Sequence, residues 1–254
     1  MERRSKTAVI VEKKEGIVYI TINRPDVRNA LNLEALNELN QALLEYRDDN
    51  ELRAAIITGA GDRAFCSGMD TRDPALRSLS GEVRDKPWRM PWNIFKGVEV
   101  WKPLIAAING FALGGGLALA LACDLRVASE NATFGCPEIT FGAGPPAWGQ
   151  TQQLARAVPR CKAIEILLLG LPIDAQEAYR IGLVNRVVPP AQVMAIAQEW
   201  AVRLCGFAPL GVQLTKEAII RGSELSLDDG LRLEDLLARY SRASGSVQQA
   251  PKRE

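Results

Sequence analysis

Three consecutive glycines, Gly114 to Gly116, lie inside a stretch without charged side chains that runs from Leu104 to Cys123. An apolar helix beginning at these glycines would present unshielded backbone N–H groups, and its dipole would add partial positive charge there. Such a place can hold an anion or stabilise a developing oxyanion. Glycines also permit the close packing of a central helix, so this stretch alone leaves both interpretations open.

Two other interpretations of the apolar stretch are weaker. Its length is that of a membrane span, but Asn109-Gly110 and the glycine triplet interrupt it, and Asp124 follows at once. The glycines lack both a following Gly-Lys-Ser/Thr and the G-x-G-x-x-G spacing, so a nucleotide-phosphate loop is not supported. The pattern instead indicates a strand, a glycine turn and a helix over about 115–122.

The residue types that are missing limit the chemistry. There is no histidine, which excludes a histidine base, a histidine metal ligand and a Ser-His-Asp triad. Five scattered cysteines without a C-x-x-C pair indicate free thiols in a reducing compartment, neither a metal centre nor a disulfide framework. The N-terminus has no apolar signal core, so we expect a cytoplasmic protein. A net charge of +1 suggests neither a nucleic-acid nor a membrane partner.

The elements that would position a site are strands alternating with helices, followed by helices alone. Leu36, Leu39 and Leu43 recur at helical spacing after Asn32, which predicts a capped helix over 33–48. Short β-prone runs predict strands at 7–13, 16–23, 53–59, 103–110, 124–129 and 132–138. Beyond residue 146 the pattern predicts helices at 147–158, 160–169, 174–182, 191–205, 208–223 and 227–242. This order indicates an α/β protein.

The region between residues 62 and 101 is less regular. It opens with a turn at FCSGMD and continues into a tryptophan-rich segment, PWRMPWNIFKGVEVW. That composition suits a loop or mobile helical segment lining an apolar site, and equally a simple hydrophobic latch. Both interpretations stay open.

Four segments, in order along the chain, resemble the crotonase (enoyl-CoA hydratase/isomerase) superfamily. They are TINRPDVRNALN, DRAFCSGMD, AAINGFALGGGLALALACDLRVASENATFGCPE and DAQEAYRIGLVNRVVP. The resemblance implies a crotonase-like β/α spiral core of repeated ββα units over residues 1–190. Residues 191–254 would form a helical region that builds a trimer or covers the site. It also implies a homotrimer or a dimer of trimers.

The resemblance further implies an acyl-CoA thioester substrate, with CoA arriving as part of the substrate and neither a metal nor a redox cofactor. The thioester carbonyl would accept hydrogen bonds from the backbone N–H groups of Met69 and Gly115. Arg28 would lie near a CoA phosphate and Ala30 beside the pantetheine. The neighbouring substrate-binding positions are Ser67, Gly68, Asp70, Gly114 and Pro137.

One expected carboxylate is missing. Family hydratases carry a glutamate two residues after the triplet, where this chain has Ala118, and a second in a Pro-Glu pair, matched here by Pro137-Glu138. A single carboxylate can move a proton between two carbons, which is double-bond isomerisation, or serve a single-carboxylate hydration. The alternative is a non-catalytic acyl-CoA-binding protein that has lost the water-activating glutamate.

Several nearby residues could modify this assignment. Asp70, Asp73 or Glu82 could replace the missing acid, although a surface or helix-capping role is favoured for each. Cys136 is better interpreted as a packing residue than as a nucleophile, since no histidine could activate it. Trp148 is expected to narrow or flatten the acyl pocket. The ending SRASGSVQQAPKRE resembles only the beginning of the family's last helix, which predicts a more open site or cover from a neighbouring copy.

Overall fold

The computed structural model describes residues 7–76, 99–142 and 144–245. The strands of a larger sheet are Val9–Lys14 (β1), Ile17–Ile22 (β2), Ala54–Gly59 (β3), Leu104–Ile108 (β5), Leu125–Ser129 (β7) and Arg186–Val188 (β10). The strands of a smaller sheet are Ala64–Cys66 (β4), Phe111–Leu113 (β6), Thr133–Gly135 (β8) and Ile173–Asp174 (β9).

Helices fill the connections and the end of the chain. Those described in full are Leu33–Asp48 (α1), Gly115–Ala122 (α2), Gln150–Ala157 (α3), Arg160–Leu169 (α4), Ala175–Arg180 (α5), Val193–Cys205 (α6), Pro209–Gly222 (α7) and Leu227–Ala243 (α8). Short 3-10 turns occupy Pro25–Val27, Pro137–Phe141 and Pro190–Gln192.

The larger sheet is parallel apart from its first strand. Its order is β1-β2-β3-β5-β7-β10, and only β1 runs antiparallel to its neighbour. The turn between β1 and β2 falls at Glu15 and Gly16, both at positive φ, as a tight two-residue hairpin turn requires. All residues of β3 and β5 are buried, which is typical of central parallel strands covered on both faces.

Helices cover both faces of this sheet. The α1 helix begins where the Asn32 side chain accepts a hydrogen bond from Ala35 N at 2.9 Å, and it buries Leu36, Leu39 and Leu43 against one face. On the other face α6 packs with β2, β3, β5 and β7 in a second apolar cluster. The prediction of an α/β fold with a helical C-terminal region is confirmed. The division of the chain at residue 190 remains a prediction, and α6 packs directly on the large sheet.

The sequence predictions missed several short strands, although the strand predicted over 132–138 is present as β8, Thr133–Gly135. The order of the smaller sheet is β4-β6-β8-β9, so the predicted FCSGMD turn begins with a strand. The predicted strand over 103–110 ends at Ile108, and β6 follows in the other sheet. Strands β9 and β10 also interrupt the region predicted to be entirely helical. These strands have two or three residues each, too few to show an alternating pattern, and only their pairing defines them.

Two other predicted helices differ from the structure only at their ends. The helix predicted over 174–182 spans Ala175–Arg180, because Asp174 is the N-cap that accepts from Glu177 N. The helix predicted from residue 147 begins at Gln150, because Gly149 has a left-handed conformation (φ 95°). Predictions that fall on Glu82, on most of the tryptophan-rich segment and on the final residues 246–254 lie outside the described residues. Among the described residues, no helix has the length and apolar character needed to cross a membrane.

Candidate active site

The three glycines of the triplet lie in different structural environments. Gly116 lies against β4, where a Cβ would be 2.0 Å from the carbonyl oxygen of Cys66. Gly114 has φ 53°, and a Cβ there would be 2.9 Å from Oε1 of Glu138. Gly115 begins α2 and has ordinary space around it. Close packing therefore explains Gly116, while Gly114 allows a carboxylate to lie against the backbone.

Two backbone N–H groups, those of Met69 and Gly115, lie close together at the start of α2. A Cβ on Gly115 would be 3.6 Å from Cα of Gly68 and 3.7 Å from N of Met69. As the first helical residue, Gly115 has no carbonyl one turn earlier in the helix to which it could donate. In the part of the chain that is described, neither Met69 N–H nor Gly115 N–H donates a hydrogen bond. The pair is therefore available to an oxygen atom of a ligand.

The loop that carries Met69 is fixed by its neighbour. Leu31 N donates to Gly68 O at 2.8 Å, and Asp70 N donates to Leu31 O at 2.8 Å. The Asp70 carboxylate forms an ion pair with Arg24 at 2.9 Å, and the same guanidinium donates to the carbonyl of Ala30. Both charged side chains are mostly buried, at 20% and 14% exposure. Asp70 is therefore engaged in holding the loop.

A cavity of about 540 Å³ opens beside these groups. Most predicted site residues line it: Ser67, Gly68, Met69, Asp70, Gly114, Gly115, Pro137, Glu138 and Trp148. Three predicted residues do not. Ala118 is fully buried, Ala30 is buried next to Leu31, and Arg28 is exposed with its guanidinium 5.8 Å from the centre of the Phe111 ring.

Glu138 is the acidic side chain of the cavity that lacks a cationic partner among the described residues. It lies on the 3-10 turn Pro137–Phe141, where Oε1 is 3.3 Å from Nε2 of Gln150. Its Oε2 is buried and has no hydrogen-bond partner in the described part of the chain. Burial and the neighbouring carboxylate raise the pKa of the Cys136 thiol, which favours its interpretation as an inert packing residue.

The other candidate acid in the described ranges is occupied elsewhere. Asp73 accepts a hydrogen bond from Leu33 N at 2.8 Å, so it caps the start of α1, as the favoured interpretation predicted. No three acidic or cysteine side chains in the described ranges come together as metal ligands do. Sequence reasoning missed Gln150 as a site residue, because the first position of an amphipathic helix gives no signal of burial. It also missed the cavity walls Phe141, Pro145 and Pro146.

Comparisons with known proteins agree with this arrangement. A family model described as enoyl-CoA hydratase/isomerase matches residues 12–253. The chain therefore belongs to the enoyl-CoA hydratase/isomerase family, within the crotonase superfamily, and is an enzyme of that type.

Individual relatives cover nearly the whole chain. It is 40% identical over 232 residues to (E)-benzylidenesuccinyl-CoA hydratase from Thauera aromatica, covering 90% of this chain and 88% of the relative. It is 41% identical over 227 residues to short-chain-enoyl-CoA hydratase from Clostridium acetobutylicum, covering 89% and 86%. An enoyl-CoA hydratase structure from Bacillus anthracis matches with a TM-score of 0.82 at 36% identity, covering 91% and 90%.

Proposed function

We propose that this protein hydrates the double bond of a 2-enoyl-CoA thioester, with Glu138 as its single acid and base. The proposal rests on the position of the Glu138 carboxylate against Gly114. The next residue is Gly115, whose N–H donates no hydrogen bond within the described residues. The hydratase names of the relatives support hydration. They also favour an enzyme over the non-catalytic acyl-CoA-binding alternative that Ala118 suggested.

The chemistry follows from the two halves of the cavity. The thioester oxygen accepts from Met69 N–H and Gly115 N–H, which stabilise the enolate charge as it develops. Glu138 takes a proton from water, the water oxygen bonds to the β-carbon, and the π electrons move toward the thioester oxygen. The same carboxyl group then returns the proton to the α-carbon as the enolate collapses. The water is consumed, and Glu138 ends in its starting state.

Isomerisation is a second candidate, and Ala118 is the observation that favours it. With no carboxylate at position 118, one acid remains to move protons, and removing and returning a proton needs only one. In this reaction Glu138 would take a proton from one carbon of a 3-enoyl-CoA and return it to another. Water would not be consumed.

One experiment tests the acid/base assignment and separates the two reactions. Crotonyl-CoA and a 3-enoyl-CoA are incubated separately with the wild-type protein and with Glu138→Gln. We expect wild type to form a 3-hydroxyacyl product from crotonyl-CoA and Glu138→Gln to be slower by roughly 10²–10⁴-fold. Undiminished turnover by Glu138→Gln would refute the role of Glu138. A double-bond shift without a hydroxyacyl product would select isomerisation.

The acyl group is proposed to lie against Trp148. Its ring is 3.6 Å from the place of a Cβ on Gly115, and Phe141, Pro145 and Pro146 continue the same wall. Stiff, flat side chains of this kind suit a short or planar acyl group. A Trp148→Ala variant should therefore gain relative kcat/KM for longer or branched acyl chains, and an unchanged preference would contradict this placement.

The remaining assignments are proposals of the same kind. CoA enters with the substrate, Arg28 contacts a CoA phosphate and Ala30 lies beside the pantetheine; the proposed steps require neither metal nor redox cofactor. A homotrimer or dimer of trimers is supported by large apolar side chains exposed on α7 and α8, including Ile219 and Leu227. Light scattering in solution tests this state. A cytoplasmic location is supported by the five unpaired thiols, and cell fractionation tests it.

A further inference from the structure

The Gln150 side chain is buried beside the Glu138 carboxylate. Gln150 is the first residue of α3, a position that is usually hydrated, yet it is only 1% exposed. A buried amide needs hydrogen-bond partners, because leaving its donors or acceptor unpaired costs about 1–3 kcal/mol. Both kinds of group on the Gln150 amide have a partner here.

These partners determine which way the amide points. Its Oε1 accepts from the backbone N–H of Trp148 at 3.0 Å, and its Nε2 donates to Oε1 of Glu138 at 3.3 Å. A flipped amide would place its oxygen against the carboxylate and its NH₂ against a backbone N–H. Both contacts would then be unfavourable, since each would join two acceptors or two donors. The backbone of Trp148 thus obliges Gln150 to donate to Glu138.

This donation makes the two oxygens of Glu138 unequal. Oε1 is held by Gln150 and lies closest to Gly114, with 2.9 Å to the place of its Cβ. Oε2 is buried without a partner in the described part of the chain. Gln150 therefore holds the carboxylate in one orientation, with Oε1 toward Gly114 and Oε2 turned into the protein.

We propose that Gln150 is a positioning residue that orients Glu138 without adding a second acid. The inference rests on the proposed function, in which Glu138 is the acid/base. A neutral donor does what a carboxylate at the same place could not, because a second negative charge 3.3 Å away would repel the first. The hydrogen bond from Trp148 N–H to Gln150 also connects the acid/base with the wall of the cavity.

Two substitutions of similar size test this role. Gln150→Met removes the donor, and Gln150→Glu replaces it with an acceptor. We expect each to lower kcat by roughly tenfold with a smaller change in KM. We also expect kcat to fall further for Gln150→Glu, because its carboxylate would repel that of Glu138 where the amide donates to it. Gln152→Glu, two residues along on the exposed side of α3, is the matched control and should keep the wild-type kcat and KM.

The outcomes separate this inference from the proposed function. If Glu138→Gln is inactive while Gln150→Met and Gln150→Glu keep the wild-type kcat, Gln150 has no positioning role and the proposed function stands. If Glu138→Gln stays active, the proposed function fails first. A loss of stability alone would lower the amount of folded enzyme, so kcat is calculated per folded molecule from circular dichroism. An unchanged kcat on that basis counts against the inference.

Discussion

The cavity contains two kinds of functional group, backbone N–H donors and a side-chain carboxylate, and they are held in place differently. The side that carries Met69 N–H and Gly115 N–H is backbone, held by the Leu31 hydrogen bonds, the Arg24–Asp70 ion pair and the contact of Gly116 with β4. The acid/base, which we call the side-chain side, is instead the single carboxylate of Glu138. It lies on a 3-10 turn and accepts a hydrogen bond from Gln150.

This difference separates what the fold supplies from what substitution can change. Backbone donors have no side chain to mutate, and their position is determined by packing over many residues. A carboxylate can be added, removed or turned by changing one residue, as Ala118 and Gln150 illustrate. Chemistry within this architecture should therefore vary on the side-chain side, while stabilisation of the thioester oxygen stays constant.

The largest expected effect comes from breaking the backbone side at Gly116. A Cβ in Gly116→Ala would be 2.0 Å from the Cys66 carbonyl oxygen, so α2 and β4 must separate. Overpacking of this kind costs about 1–3 kcal/mol, occasionally more, and it should also displace the Gly115 N–H and abolish turnover. Chemical denaturation and kcat/KM measure the two effects.

The matched control for that variant is Gly211→Ala, in α7, where a Cβ meets no atom within 4 Å. Alanine has the better helix propensity, so this variant should be as stable as wild type or slightly more stable. If Gly116→Ala behaves like Gly211→Ala, the backbone side is less constrained than its packing indicates.

An intermediate effect is expected from loosening the same side at Asp70. In Asp70→Ala the mostly buried guanidinium of Arg24 loses its ion partner, at a cost of roughly 1–3 kcal/mol in unfolding free energy. The Met69 loop should shift and lower kcat/KM. The exposed pair Arg239–Asp235 provides the control Asp235→Ala, expected to change stability by under about 1 kcal/mol. An unchanged kcat/KM in Asp70→Ala would show that the ion pair does not hold the Met69 loop.

The smallest effect is a difference in thiol protection between the two sides. Burial raises the pKa of Cys66 on the backbone side to about 12, and burial with the Glu138 carboxylate raises that of Cys136. Both thiols are therefore protonated and unreactive near pH 8 until local opening exposes them. We expect iodoacetamide to modify exposed Cys161 first and partly exposed Cys205 next. Of the two buried thiols at the cavity, Cys136 should react before Cys66, because it adjoins a short 3-10 turn whereas Cys66 lies in β4. Mass spectrometry of timed digests gives the order of modification. Modification of Cys66 before Cys136 would contradict the expectation that the backbone side is the better protected.

Much of the backbone side could be predicted from local sequence. The apolar residues before the triplet, the glycines and the apolar helix behind them indicated the strand, turn and helix that the structure contains. The Pro-Glu pair identified Glu138 through the family resemblance. Local signals suffice here because the glycines and the helix start are adjacent in the chain, so their conformation follows from a few neighbouring residues.

The partners of the acids could not be predicted in the same way. Arg24 and Asp70 are 46 residues apart and Gln150 is 12 residues from Glu138, and no periodicity relates such pairs. The short strands β4, β6 and β9 likewise have no pattern of their own.

The sequence by itself determined the fold class, the absence of histidine chemistry, the glycine-rich start of α2 and the single motif-matched acid. Only the tertiary structure decided that Asp70 is tied to Arg24, that Asp73 caps α1 and that Gln150 donates to Glu138. The physical reason is that composition and local conformation are properties of neighbouring residues. Hydrogen bonding and burial at the site instead depend on which distant segments the two sheets and their covering helices bring together.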